Sequence, residues 1–179
     1  MPRENRSPEE NAPEFPVSLI PLSQSELKEF LQVQIEEFAR EKVLAGHWTQ
    51  AEARRKSRKS IVRLTGRNPA ARGHRFWKGV DAEGMRLGWI WIGPIPGARP
   101  TERGRWLYQI TIEESLRGRG YGRAMLAATE RVLAGEGVDA LHLNVFAWNT
   151  AARSLYDSMG YEIVQESATD AQMRKALRA

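Results

Sequence analysis

A chain of 179 residues with 41% hydrophobic and 27% charged residues has the composition of a soluble globular protein and the length of one domain. The absence of cysteine excludes a disulfide framework, a thiolate metal site and a cysteine nucleophile. The net charge of +5 is unevenly spread: between Ala51 and Val80 ten Lys or Arg face the single acid Glu52, so the rest of the chain is net acidic.

No run approaches the roughly 18 apolar residues of a membrane span, and the N-terminus has no apolar signal core. A cytoplasmic protein without a membrane partner is expected. Residues 1–16 hold four of the nine prolines among Glu, Arg and Asn, a composition expected to form a disordered tail ahead of a single domain over 17–179. Val17–Leu22 reads as an edge strand, because Pro21 excludes a central one.

Ser23-Gln-Ser-Glu26 is a capping box. Leu27, Phe30, Leu31, Ile35, Phe38 and Leu44 then recur at helical spacing, which predicts a helix ending near Gly46. A second box, Thr49-Gln-Ala-Glu52, predicts a helix to about Gly66 whose basic residues form a mostly solvated face. Arg75–Val80 and Met85–Ile92 flank Asp81-Ala-Glu-Gly84, a hairpin signal. Gly93–Gly97 and Pro100 predict a mobile connector.

The most informative stretch comes next. Trp106–Ile112 reads as a buried strand, Arg117-Gly-Arg-Gly-Tyr-Gly122 as a glycine-rich loop, and the residues after it as an apolar helix. Strand, glycine loop and helix N-terminus make a cradle for phosphate, because unpaired N–H groups and the helix dipole converge there. Arg117, Arg119 and Arg123 add positive charge. Ala140–Phe146 and Tyr161–Gln165 are further strands, separated by a short helix, and Met173–Leu177 closes the sheet. The order predicts a mixed α/β layer structure with parallel pairing near the glycine loop.

Two familiar phosphate loops fail on spacing. No Gly-Lys-Ser/Thr is present, and Gly118-x-Gly120-x-Gly122 is not Gly-x-Gly-x-x-Gly. Arg117-Gly-Arg-Gly120-Tyr-Gly122 instead resembles Arg/Gln-x-x-Gly-x-Gly/Ala, the acetyl-coenzyme-A loop of the GNAT N-acetyltransferase superfamily. Asn149-Thr-Ala-Ala-Arg-Ser-Leu-Tyr156-Asp-Ser-Met-Gly160-Tyr161 is similar to that family's Asn-x-x-Ala-x-x-Leu-Tyr-x-x-x-Gly-Phe segment. The resemblance runs from about Trp106 to Val164. In detail it is closest to bacterial members resembling ribosomal-protein N-terminal acetyltransferases.

The resemblance implies a mostly antiparallel sheet with a splayed parallel strand pair and flanking helices. It implies acetyl-coenzyme A as donor and no metal. Ile110, Thr111 and Ile112 would face the pantetheine arm, and Arg117, Gly118, Arg119, Gly120, Tyr121, Gly122 and Arg123 the pyrophosphate. Asn149 would cap its helix, bind the cofactor, or do both. Tyr156 falls at the family's general-acid position for the leaving thiolate.

The general base is left open. The matching relatives carry a glutamate where this chain has Asn144, which cannot accept a proton at neutral pH. His142 shares that strand face, Tyr108 and Gln109 are placed to position a water, and Glu37 or Glu41 approach from the acceptor side. The acceptor is a small-molecule or protein amine, and the basic stretch favours one bearing carboxylate or phosphate. A homodimer is left open. The rival reading is a catalytically silent acyl-coenzyme-A-binding regulatory module. Nucleic acid is not the expected partner, since no recognition motif accompanies the charges.

Overall fold

The computed structural model describes residues 16–98 and 103–177; the expected N-terminal tail falls largely outside them. The first helix, α1 (Gln24–Leu44), starts where the capping box places it: the Ser23 hydroxyl accepts from Glu26 N at 3.3 Å, and Glu26 accepts from Ser23 N at 2.9 Å. A second, α2 (Gln50–Thr65), begins with Thr49 N donating to the Glu52 carboxylate at 3.1 Å. The Ser57 hydroxyl donates to Ile35 O at 2.7 Å and locks the two helices together.

Among the described residues seven strands form one sheet. They are β1 (Ser18–Pro21), β2 (Arg75–Val80), β3 (Arg86–Gly93), β4 (Gly104–Ile112), β5 (Ala140–Phe146), β6 (Glu162–Glu166) and β7 (Asp170–Ala176), in the order β1-β2-β3-β4-β5-β7-β6. Every pair is antiparallel except β4–β5, the parallel pair expected beside the glycine loop. The β2–β3 turn forms as its residues demand, with the Asp81 carboxylate accepting from Glu83 N and Met85 N.

Helices cover both faces. On one, α3 (Tyr121–Gly135) and α4 (Thr150–Ser158) supply Met125, Leu126, Leu133 and Tyr156 to a large core with Leu87, Ile90, Ile92, Leu107, Leu141, Leu143 and Met173. On the other, α1 and α2 bury Phe30, Ile35 and Ile61 against Phe76 and Trp91. Burying both faces explains why β3 reads as a nearly continuous apolar run.

The last strand departs from expectation. It begins at Asp170, three residues before Met173, and pairs with β5 along that strand's whole length. Only Ala171 and Met173 of its inward residues are fully buried, so the alternation is too weak to mark the strand's start.

Candidate active site

β4 and β5 pair only from Gly104–Leu107 against Ala140–Leu143. Beyond that point Tyr108–Ile112 and Asn144–Phe146 run on without pairing to each other, so the two strands part. A β-bulge sits at the divergence. Trp91 pairs with Gln109 and Ile92 with Leu107, which leaves Tyr108 as the extra residue. A bulge bends its strand and increases its twist, which accounts for the opening at that residue. It also sorts the side chains: Leu107, Ile110 and Ile112 pack towards the α3/α4 core, whereas Tyr108 packs towards α1 and α2. The backbone groups of Ile110, Thr111 and Ile112 on the β5 side are free of that ladder.

At the far end of β4 the chain turns through a 3-10 segment, Glu114–Leu116, into the glycine loop. Gly118 has φ 72° and Gly120 φ 89°, the left-handed region that excludes a Cβ cheaply only for glycine. The first amide bonded within α3 is Ala124 N, to Gly120 O, so the helix presents open donors at its start. No main-chain partner holds the amides of Gly118, Arg119, Gly120, Gly122 or Arg123 among the described residues. This cradle is complementary to pyrophosphate. Arg117 Nε donates to Ile112 O at 3.1 Å, tying the loop to β4, and Arg123 donates to the Ser158 hydroxyl at 2.5 Å, tying it to α4. Arg119 is exposed.

The second motif lies against the first. A Cβ on Gly122 would sit 3.4 Å from Leu155 of α4. Asn149 is the N-cap of α4, its Oδ1 accepting from Ala152 N at 3.2 Å. The ring of Tyr156 is buried against Tyr161, with centroids 5.6 Å apart. Burial pushes its hydroxyl up to about 12, so it keeps its proton through neutral pH. That hydroxyl has no hydrogen-bond partner among the described residues, yet the only enclosed side-chain polar atom lacking one there is Arg105 Nε. The Tyr156 hydroxyl is therefore open and uncommitted.

Helix α1 crosses the opposite face of the sheet. Glu26 pairs with Lys78 of β2, Phe30 packs on Phe76 of β2 and Trp91 of β3, Glu37 accepts from Gln109 of β4 at 3.3 Å, and Lys42 lies over Phe146 of β5. Gln34 also donates to Glu37, and Gln109 donates to the Thr111 hydroxyl at 3.1 Å. Beneath α1 is a cavity of about 130 Å3 whose lining includes Glu29, Glu37, Trp89, Thr111, Arg86 and Glu113. Arg86 is committed to Glu113 at 2.7 Å and lies over Trp89, whereas Glu29 and Glu37 have no cationic partner among the described residues.

The base candidates are spread along this face. His142 is the register partner of Trp106, in the part of the ladder where the strands are still joined, and its ring stacks on Trp106. Asn144 is exposed in the parted region. The Tyr108 hydroxyl donates to Pro94 O at 2.8 Å, and partial burial pushes it up to about 12. Burial also holds the Glu41 carboxyl above its ordinary range, and Glu37 adds to this. The cavity-lining carboxylates Glu29 and Glu113 escaped the sequence reading. Neither belongs to the sheet-facing stripe Glu26, Phe30, Gln34, Glu37 and Glu41, so helical spacing carried no signal for them.

A buried network braces this wall. Trp91 Nε1 donates to His74 Nδ1 at 3.0 Å, and His74 Nε2 lies 3.3 Å from Leu64 O. A carbonyl only accepts, so the proton is on Nε2 and the ring is neutral. Burial lowers its pKa. His74 was not singled out in the sequence, since its role depends on residues from α2 and β3.

Among the described residues no group of His, Asp and Glu is arranged to hold a metal, and no helix is long and apolar enough to cross a membrane. The chain matches the Acetyltransferase (GNAT) family over residues 33–161. It is 31% identical over 161 residues to the uncharacterized N-acetyltransferase YycN of Bacillus subtilis, covering 90% of this chain and 99% of YycN. YdgE of the same organism is 29% identical over 156 residues, covering 87% and 95% of the two chains. The crystal structure of YycN superposes with a TM-score of 0.78 over 85% of this chain and 96% of that one. The N-acetyltransferase PaiA of Thermoplasma acidophilum, solved with coenzyme A, shares the fold at 18% identity and a TM-score of 0.63, over 90% and 99% of the chains. The chain belongs to the GNAT family and is an acetyl-coenzyme-A-dependent N-acetyltransferase.

Proposed function

We propose that the protein transfers the acetyl group directly from acetyl-coenzyme A to an amine held beneath α1, with Tyr156 as general acid. The observation that carries this reading is the β4–β5 ladder, which stops at Leu107 and Leu143 while both strands continue. The parted strands leave the Ile110 main chain and the Ile112 N–H available to the pantetheine arm and to a developing oxyanion, while the Ile112 carbonyl is held by Arg117. At the end of the same strand the open amides of Gly118, Gly120 and Gly122 are matched to pyrophosphate. The Asn149 side-chain NH2 has no partner among the described residues while its Oδ1 caps α4, so the two roles are compatible.

No covalent enzyme intermediate is needed. The neutral amine adds to the thioester carbon, the C–S bond breaks, and Tyr156 gives its proton to the departing thiolate. A hydroxyl with a high pKa and no competing hydrogen bond suits that role.

The acceptor is a cationic amine in this reading. The basic stretch 51–80 is partly neutralised, with Arg54, Lys56, Arg75 and Lys78 paired to Glu36, Glu52, Glu136 and Glu26. The cavity, by contrast, exposes the unpaired carboxylates Glu29 and Glu37. That charge favours an acceptor with a positive group over one bearing carboxylate or phosphate. The finer likeness to ribosomal-protein acetyltransferases lies in the cofactor motifs and assigns no acceptor.

The test is release of free thiol from acetyl-coenzyme A across a panel of diamines, amino acids and peptide N-termini. Fastest turnover on diamines is expected. Tight cofactor binding with no turnover on any amine would favour the silent regulatory module instead.

A further inference from the structure

The chain lacks the strand glutamate at Asn144 and so needs a proton acceptor from elsewhere. We propose that Glu41 of α1 is that group: it is the general base that takes the proton from the attacking amine. This rests on the transfer reading above and adds the residue that it leaves unassigned.

The placement follows from how α1 lies on the sheet. Glu26, Phe30, Gln34, Glu37 and Glu41 recur every three or four residues and so share one side of the helix. The first four face the sheet: Glu26 meets β2, Phe30 meets β2 and β3, Gln34 is buried, and Glu37 meets Gln109 of β4. Glu41 is one turn further, about 6 Å along the axis, a little more than one strand spacing. Lys42, the next residue, already reaches Phe146 of β5. Glu41 therefore stands over the interval between β4 and β5, where the ladder has parted.

Its surroundings suit the task. Glu41 is half-buried and has no hydrogen bond or ion pair among the described residues, so its oxygens are uncommitted. The charged groups acting on it are Glu37, Arg40 and Lys42, all on α1. Burial and Glu37 raise its affinity for a proton; Arg40 and Lys42 oppose this. Across the gap, the polar groups on the facing strands are Tyr108, Gln109 and Thr111 of β4 and His142 and Asn144 of β5. Of these, His142 stacks on Trp106 in the length where the strands are still joined, outside the parted region. Glu37, the other carboxylate on the stripe, already accepts from Gln34 and Gln109.

The step balances. The acceptor arrives as an ammonium and gives one proton to Glu41. Its nitrogen then forms the N–C bond, the C–S bond breaks, and the thiolate takes the Tyr156 proton. The second proton leaving nitrogen restores Tyr156 through solvent, and Glu41 releases its own to bulk.

The experiment is the pH dependence of kcat/KM for the full chain, its Glu41→Gln and Glu41→Asp variants, and Tyr156→Phe, with two amines of different pKa. In the wild type a limb falling towards acid pH should be common to both amines, whereas the limb of the free amine moves with the acceptor. In Glu41→Gln the common limb should vanish and kcat/KM fall about 100-fold or more. Glu41→Asp should recover part of that rate, and Tyr156→Phe should keep the limb. Acetyl-coenzyme A affinity and the thermal midpoint should be unchanged in Glu41→Gln, which separates a lost base from a damaged fold. An active wild type with an equally active Glu41→Gln that keeps the limb overturns the role of Glu41 alone. A wild type inactive on every amine overturns the transfer itself, and Glu41's role with it.

Discussion

The two faces of this sheet make one site from unlike materials. Under α3 and α4, the side proposed for the cofactor consists of two short contiguous segments, Arg117–Arg123 and Asn149–Tyr161. Their geometry is largely local: two left-handed glycines, a helix start and an Asn cap. Under α1 and α2, the side proposed for the acceptor is assembled from residues scattered between Glu29 and Asn144, joined by single contacts such as Glu37 to Gln109 and Trp91 to His74. A donor that always carries the same pyrophosphate needs a fixed cradle. An acceptor site is tuned by a few side chains on an existing wall, which leaves no contiguous signature.

The largest expected effect tests the chemistry between the faces. Tyr156→Phe should lower kcat about 100-fold or more while leaving the melting temperature close to wild type, because the lost hydroxyl has no partner to orphan. Steady-state thiol release beside a thermal melt reads both. An unchanged kcat would move the acid elsewhere.

Gly120→Val tests the cofactor side alone. Forcing a β-branched residue to φ 89° should cost about 1–3 kcal/mol of stability, and its side chain intrudes where phosphate oxygens must approach. Acetyl-coenzyme A affinity, measured calorimetrically, should fall by more than that strain explains. Equal losses of binding and stability would mean the loop is a turn and not a cradle.

On the acceptor side, Trp91→Phe should cost about 1–3 kcal/mol in denaturant unfolding, since it leaves the buried His74 Nδ1 without its donor. It should spare acetyl-coenzyme A affinity. The same histidine gives a pH signature. Its folded pKa lies below the ordinary 6.5, so the unfolded chain takes up the proton first as pH falls. The stability that depends on neutral His74 is thus fully present above about pH 6.5 and is lost as pH falls through the lower folded pKa. Replacing His74 with Gln should flatten that acid slope. A slope that persists would assign it to other groups.

The smallest effect is Gly122→Ala. This position has no left-handed φ, and the new Cβ would make an ordinary contact with Leu155 at 3.4 Å. Helix propensity should add up to about 1 kcal/mol, with cofactor binding nearly unchanged. A large binding loss would show that the cradle tolerates no Cβ even at its edge.

Both capping boxes, the β2–β3 turn and the glycine loop were legible because each satisfies its own backbone groups within a few residues. They appear in the structure where the spacing put them. The weakly alternating Asp170–Gln172 was not legible as strand, since its pairing is supplied by β5. The basic run from Arg54 to Lys78 suggested an anionic acceptor, but the chain does not show that four of those cations meet glutamates, all of them outside the run. Nor does it show that α1 brings Glu26 to Lys78 of β2 and Glu37 to Gln109 of β4.

By itself, then, the sequence determined the local pieces: a glycine loop opening a helix and an Asn-capped helix with a tyrosine two turns in are properties of short segments. Only the tertiary structure decided the α1 side. The bulge at Tyr108 parts two strands far apart in sequence, and the path of α1 brings Glu37 to Gln109 on the parted length of β4. Those choices depend on packing between distant elements, and a side chain's neighbours across a sheet are not encoded at any one position.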